Sequence, residues 1–319
     1  MMFGSNTLGN GWVVPADDAA ITAAAELIHA GQIVAIPTET VYGLAADAQN
    51  AEAVARIYAT KGRPDFNPLI VHVASKAAAE KLAIFNGLAG RLADNFWPGP
   101  LTLVLPLKPD APVAQAVTAG LPTIAIRCPA HPVMQALLAK TGLSLAAPSA
   151  NPSGSISPTR ADHVLTGLGG AVPMILDGGP CAAGLESTIV AIREDGWEIL
   201  RPGPVTAEEI EKVAGSAPVT TPNGAIEAPG QLASHYAPAK PVRLNAIAAE
   251  PHEWLIGFGS LNGDDNLSPS ADLAQAAAHL FEALHKADAS AAGSIAVAPI
   301  PNQGIGIAIN DRLARAAVR

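Results

Sequence analysis

The sequence predicts an α/β protein in two parts: a twisted mixed sheet flanked by helices, then a smaller β/α module. Three observations carry this. Short apolar runs of strand length alternate with helix-length periodic segments through the first 200 residues, the pattern of layered α/β architecture. Two β-rich runs, STIVAI and WEILR, are joined by the turn REDG at 193 to 196, and a hairpin of this kind cannot be parallel. A Pro-rich stretch then interrupts the periodicity before a second set of strands and helices begins near residue 241.

The elements follow in order. AAITAAAELIHAG after Asp17 and Asp18 reads as a helix, QIVAIP as a strand, AEAVARIYATKG after Asn50 as a helix, and LIVHV at 69 to 73 as a strand. Further strands are expected at LTLVLP (101 to 106), TIAIRC (123 to 128), LSLAAP (143 to 148) and PMILD (173 to 177), with HPVMQALLAKTG a Pro-started, Gly-stopped helix between two of them. TAEEIEKVAG closes the first domain at residue 215. Residues 216 to 240, with Pro218, Pro222, Pro229 and Pro238, read as an extended linker. The module at 241 to 319 contains PVRLNAI, WLIGFGS, an amphipathic helix with Leu273, Ala277, Leu280, Phe281 and Leu284 on one face, SIAVAPIP and a final helix. GFGSLNG at 257 to 263 approximates a dinucleotide-binding turn, but its third glycine is displaced and no helix follows at once, so a plain glycine-rich turn is the better reading.

Composition narrows the class. Hydrophobic residues make up 49% and charged residues 15% of the chain, against a norm of about 25% charged. The mean hydropathy is +0.27, yet the longest apolar runs, such as LTLVLPL at 101 to 107, are strand-sized and far below the roughly 18 residues of a spanning helix. MMFGSNTLGN lacks the basic and apolar regions of a signal peptide. A cytoplasmic protein with no membrane partner is expected. Cys128 and Cys181 have no zinc spacing and read as plain buried thiols of a reducing compartment. A formal charge of −9 with 4% aromatics argues against stable binding of a long nucleic acid, though not against a local cationic pocket.

No GxSxG elbow, phosphate loop of the GxxxxGK(S/T) type, HExxH or EF-hand loop is present, and no metal-ligating residues stand out. The chemistry is therefore expected in loops at strand and helix ends: PTETVYG (37 to 43), KGRPDFNP (61 to 68), PSANPSGSISPT (148 to 159) and GLEST (184 to 188). Lys61 and Arg63 put a point cation and a planar fork on one exposed turn, suited to phosphate or carboxylate. A helix C-terminus with its Gly stop would also favour such residues. His72 lies within an apolar strand, where a core histidine is the plain alternative. Arg127 ends another, and a buried arginine requires an anionic partner. Ser149, Ser153, Ser155 and Ser157, set among prolines and Gly154, offer hydroxyls and backbone amides to phosphates, an ordinary surface loop being the plain alternative.

Together PTETVYGL, KGRPDFNPLIVHV, WPGPLTLVLP, TIAIRCP, APSANPSGSISPT, LESTIV, RPGP and, in the linker, SHYAP resemble the threonylcarbamoyl-AMP synthases in their longer form. The resemblance covers nearly the whole chain; PGQLASHYAP departs from the family in lacking Met after Pro-Gly. It implies a YrdC-type catalytic domain, a linker and a small C-terminal Rossmann-like β/α domain. It also implies the reaction of L-threonine, bicarbonate and ATP to threonylcarbamoyl-AMP and pyrophosphate, with Mg²⁺ accompanying ATP. The product would pass to downstream tRNA threonylcarbamoyl transferase proteins. Position by position, Thr40, His72, Arg127, the Ala147 backbone and Ser187 correspond to the threonine pocket, with Thr38 able to exchange roles with Thr40. Lys61, Arg63, Asn67, Thr123, Ser149, Ser157, Arg201 and Tyr236 correspond to the ATP side, Lys61 and Arg63 doubling as the catalytic cations. Two readings compete: an RNA-binding or ribosome-associated YrdC-type module, and a carbamoyl-transfer domain of the hydrogenase-maturation sort. Acidic balance weighs against the first, and missing zinc-finger and acylphosphatase-like segments against the second.

Overall fold

The computed structural model describes residues 12–219, 227–231 and 235–318. In chain order the elements are β1 (Trp12–Pro15), α1 (Asp18–His29), β2 (Val34–Ile36), β3 (Gly43–Asp47), α2 (Ala51–Lys61), β4 (Ile70–His72), α3 (Lys76–Ala79), α4 (Gly87–Phe96) and β5 (Leu101–Pro106). There follow α5 (Gln115–Thr118), β6 (Thr123–Arg127), α6 (Pro132–Thr141), β7 (Leu145–Ala146), α7 (Ala161–Leu168), β8 (Met174–Asp177), β9 (Thr188–Ile192), β10 (Trp197–Arg201) and α8 (Ala207–Ala214). The last part comprises β11 (Val242–Arg243), β12 (Glu253–Gly257), β13 (Asp265–Asn266), α9 (Leu273–Ala289), β14 (Ser294–Val297) and α10 (Gly306–Ala316).

Ten strands form one sheet in the order β1-β8-β2-β3-β7-β4-β6-β5-β9-β10. It is mixed, as expected: β4 runs parallel to β6, while β7 pairs antiparallel with β4 and β10 with β9. The second sheet, β11-β14-β12-β13, is parallel throughout. The helix starts follow their caps. Asp17 and Asn50 accept from the first free amides of α1 and α2, and Thr206 with Glu209 forms a capping box on α8.

The structure corrects the sequence expectations in several places. LSLAAP contributes only Leu145–Ala146 as strand, because the chain turns away at Ala147 and Pro148 to enter the serine-rich loop. β3 was not anticipated: its GLAAD sequence is alanine-rich, and alanine has low strand propensity, but burial between β2 and β7 overrides it. The edge strand β1 and the short helices α4 and α7 were also absent from the expectation. In α4, Gly87 and Gly90 mask the period that Ala89, Leu92 and Ala93 bury. GFGSLNG is a turn, with Gly257 ending β12 and the next helix starting only at Leu273.

One large apolar core lies under α2, α4 and α7, and another packs α1 and α6 on the opposite face. The core of the C-terminal part does not stop at its own sheet. It extends onto Val41, Ile156, Leu185 and Tyr236, residues of the first part's loops and of the linker. Gly184 sits where they meet: its φ is +66°, and a Cβ there would come within 2.4 Å of Ala278 Cα on α9. Only glycine allows so close an approach.

Candidate functional site

The loops expected to carry chemistry converge on one narrow cavity of about 50 Å³. Of the thirteen sequence-derived site residues, Thr40, Arg63, His72, Arg127, Ala147, Ser149, Ser187, Arg201 and Tyr236 line it, together with Thr38, Glu186, Gly230 and His235.

Parallel pairing of β4 and β6 sets His72 directly beside Arg127. The Arg127 guanidinium donates from Nη1 to Thr40 Oγ1 at 2.8 Å and from Nε to the Gly99 carbonyl at 3.2 Å. Its Nη2 lies 2.7 Å from Glu39 Oε1 but makes no aligned hydrogen bond, so that contact is one of charge. Glu39 is thus the anion a buried arginine requires. Burial pushes the Glu39 carboxyl up most strongly, but the Arg127 charge, the Arg127 side chain and the Glu39 and Ala130 backbone amides together hold the group below its ordinary value. Thr38 closes the turn, accepting from the Thr40 and Val41 amides and donating to the Val41 carbonyl. Its hydroxyl also meets that of Thr40 at 2.8 Å, so Thr40 is the threonine in contact with Arg127. His72 is held down to about 3 by burial and then by the Arg127 charge, and is neutral; its Nδ1 has no partner among the described residues.

Lys61 and Arg63 are not the exposed turn charges expected: they are 3% and 9% exposed. Gly62, left-handed at φ 58°, ends α2 and turns both side chains inward. Lys61 Nζ donates to the carbonyls of Ser149 (2.6 Å) and Asn151 (2.5 Å), fastening the serine-rich loop from behind. Burial, and then the neighbouring Arg63 charge, lowers its ammonium well below the usual lysine range. Arg63 donates to Asn67 Oδ1 (2.7 Å) and to the Asn67 and Pro68 carbonyls, and burial lowers it to about 10.

Lys61, Asn67, Ser157 and Thr123 do not line the cavity. Asn67 orients Arg63, and its own Nδ2 has no hydrogen-bond partner among the described residues. Ser157, fully buried, donates to Glu186 Oε1. Thr123 begins β6, at the end of the strand opposite Arg127. The Ala147 amide is bonded to the Ile70 carbonyl. Ser187 meets Thr102 through its hydroxyl at 2.7 Å, and its carbonyl accepts from Arg201 Nε and Nη2.

The linker forms the remaining wall. Gly230 has φ +85°, and a Cβ on it would lie 2.8 Å from both Arg201 Cδ and Tyr236 Oη. Tyr236, 1% exposed and at φ 63°, stacks in a T-shape on His235 and tilts against Phe281 of α9. Sequence reasoning did not assign Glu39 or Glu186, although both stood in the polar strings PTETVYG and GLEST. Arg312, which lies behind the wall, gave no local signal in an ordinary amphipathic helix.

The site therefore brings buried arginines and neutral donors onto one cavity whose two neighbouring carboxylates, Glu39 and Glu186, are already paired with arginines. This is an anion-binding arrangement. Among the described residues no group of three or more His, Cys, Asp or Glu is placed to hold a metal ion, and no helix is long and apolar enough to cross a membrane.

Comparison with known proteins agrees. The family model described as Telomere recombination (Sua5, YciO, YrdC) matches residues 26–203, and that of the threonylcarbamoyl-AMP synthase C-terminal domain matches residues 205–318. The chain is 41% identical to the threonylcarbamoyl-AMP synthase of Bacillus subtilis, over 94% of each protein. The crystal structure of Pyrococcus abyssi Sua5 complexed with L-threonine matches with a TM-score of 0.86 at 36% identity, covering 98% of both chains. Escherichia coli YciO, at 22% identity and TM-score 0.54, covers 61% of this chain and shares its fold there.

Proposed function

The chain belongs to the threonylcarbamoyl-AMP synthase family in its two-domain form, and from that premise we propose that its cavity joins L-threonine, bicarbonate and ATP into threonylcarbamoyl-AMP. The observation that supports this best is the convergence of buried Arg63, Arg127 and Arg201 on one cavity, since every substrate carries an anionic group.

In the proposed reaction the threonine nitrogen takes up the carbon of bicarbonate with loss of water, giving a carbamate. A carbamate oxygen bonds to the α-phosphorus, the bond from that phosphorus to the bridging oxygen breaks, and pyrophosphate leaves with the electron pair. Such a transfer requires alignment and charge neutralisation more than a protein nucleophile. Arg127, whose Nη2 meets Glu39 through charge and not through an aligned hydrogen bond, is assigned the threonine carboxylate. Neutral His72 lies beside it, with a ring nitrogen, Nδ1, that has no partner among the described residues and is free to hydrogen-bond the substrate. Arg63 and Arg201 face the phosphates. Lys61, hydrogen-bonded to the Ser149 and Asn151 carbonyls, keeps that loop in register beneath the phosphates.

Mg²⁺ is proposed as a companion of the polyphosphate. The carboxylates at the cavity are engaged by Arg127 and Arg312, so no residue of this chain is assigned to the ion. Transfer of the product to tRNA-modifying proteins in the cytoplasm belongs to the same proposal.

Mass spectrometry of the nucleotide product, with ATP, bicarbonate and threonine supplied together and singly omitted, tests the reading. Threonylcarbamoyl-AMP should form only with all three present. Equal pyrophosphate release without threonine would overturn it.

A further inference from the structure

The C-terminal part sends one side chain into the back of the cavity wall. Arg312, on α10, is 0% exposed. Its Nε donates to Glu186 Oε2 at 2.8 Å, Nη1 to Asp311 at 2.6 Å and Nη2 to the Pro202 carbonyl at 2.9 Å. The guanidinium carbon also lies 5.0 Å from the centre of the Tyr236 ring, within cation–π range. Arg312 itself does not line the cavity; Glu186 and Tyr236 do. One turn further, the Arg315 carbonyl faces the His235 amide at 3.5 Å. Helix α10 thus grips both the acid in the wall and the linker residues above it.

The charge balance gives this contact a consequence. Glu186 is a buried carboxylate on a cavity that otherwise presents cations. Burial pushes its carboxyl up, but Arg312 first and Arg201 second hold it below its ordinary value, so it is ionised. Without Arg312, that carboxylate would face an incoming polyphosphate with Ser157 and part of the Arg201 field as its compensation. An uncompensated buried charge is costly, and beside an anionic ligand it repels.

We infer that Arg312 is a positioning residue for the reaction, supplied by the C-terminal part: it neutralises Glu186 so that the nucleotide's phosphates are admitted, and it clamps Tyr236 over the cavity. This rests on the reading of the cavity as the site of threonine and ATP.

Full-length Arg312→Gln, Arg312→Lys, Glu186→Gln and the Arg312→Gln/Glu186→Gln pair separate the two effects. Arg312→Gln should raise the ATP KM by at least about tenfold, while the threonine KM changes less than about threefold. The double variant should recover much of the ATP KM, since the repelling charge is gone, giving a non-multiplicative cycle. Arg312→Lys, which keeps the charge, should hold the ATP KM within about threefold of wild type and serves if Arg312→Gln folds poorly. Without any ligand, hydrogen exchange of the Ala237 amide, held by the Gly154 carbonyl at 2.8 Å, should be faster in Arg312→Gln and stay fast in the double variant, because the clamp on Tyr236 is not restored. Effects on ATP KM that simply multiply in folded variants, or unchanged exchange, would overturn the inference. Absence of threonylcarbamoyl-AMP from the wild-type enzyme would instead sink the underlying reading, leaving the exchange experiment to judge the clamp.

Discussion

The imidazole of His163, on α7, lies on that of His285, on α9, with ring centroids 3.8 Å apart and planes 24° apart. The two parts of the chain therefore meet through a pair of stacked histidines. His285 Nε2 lies 3.1 Å from the Ser157 carbonyl, which ties the pair to the serine-rich loop of the cavity. Arg160, Asp162, Glu282, Lys286 and Asp288 surround them. Glu282 lies 3.4 Å from His163 and would favour a proton there, but burial, followed by the charge that His285 would carry, outweighs it and lowers His163 to about 3. Burial lowers His285 as well.

A pH dependence follows with a definite sign. An unfolded histidine titrates near about 6.5, so below that pH the unfolded chain binds protons that the stacked pair refuses. Stability is fully present above about pH 6.5 and is lost as pH falls from there toward the folded values. Urea unfolding at pH 7.5 and pH 5 should show the loss, and the double variant His163→Phe/His285→Phe should have a shallower slope. It should not be flat, because His72 and His235 are also lowered to about 3. An unchanged slope in the double variant would remove the pair from the account.

Lys61→Ala is expected to damage both function and fold. The lysine holds two carbonyls of the serine-rich loop in a buried setting, and leaving those acceptors unsatisfied costs about 1–3 kcal/mol. Activity should fall at least about tenfold, since the loop carries Ser149 into the cavity. Denaturant midpoints and steady-state kinetics measured on one preparation check both. Wild-type stability with lost activity would mean that Lys61 serves the reaction and not the fold.

Strand and helix ends were legible where caps and β-branched runs agree, as at Asn50 and in LTLVLP. Arg127 was legible as a charge requiring a partner, because permanent charges are rare inside strands. The exposure of Lys61 was not, since a basic residue next to a helix-ending glycine is the same string whether it faces solvent or turns inward. Glu186 and Arg312 lie 126 residues apart in sequence, and only the docking of α9 and α10 on the loops of the first part brings them together. Neither Ala-rich β3 nor Gly-containing α4 has a local pattern strong enough to announce itself.

Arg127→Lys should raise the threonine KM more than the ATP KM. The fork reaches Thr40, Gly99 and Glu39 at once, and an ammonium cannot hold those positions while also presenting a donor to a carboxylate. Kinetics with each substrate varied in turn decide the matter; the opposite pattern would place Arg127 on the nucleotide.

Gly184→Ala should loosen the junction between the two parts. At φ +66° a Cβ would be strained, and it would strike backbone atoms of α9 at 2.4 to 2.6 Å, which cannot yield as a side-chain tip could. A loss above about 1 kcal/mol is expected, together with faster proteolysis between residues 203 and 241. If the variant unfolds like wild type, the close packing of α9 against this loop is not what joins the parts.

The linker prediction rests on size. The cavity of about 50 Å³ is far smaller than the 300 to 1,000 Å³ of sites that enclose whole ligands, and what narrows it is Pro229, Gly230, His235 and Tyr236 from the linker. On the proposed reading, the linker residues that wall the cavity are expected to move aside for threonine and ATP and to settle again on them. Closure would exclude water from the mixed anhydride, whose hydrolysis competes with transfer. Limited proteolysis between residues 216 and 240 is therefore expected to slow when threonine and ATP are present together, more than with either alone. Gly230→Ala, which sets a Cβ 2.8 Å from Tyr236 Oη and Arg201 Cδ, should weaken that protection and lower activity while leaving the unfolding of the first part unchanged. Ligand-independent cleavage, or full protection and activity in Gly230→Ala, would reduce the linker to a tether.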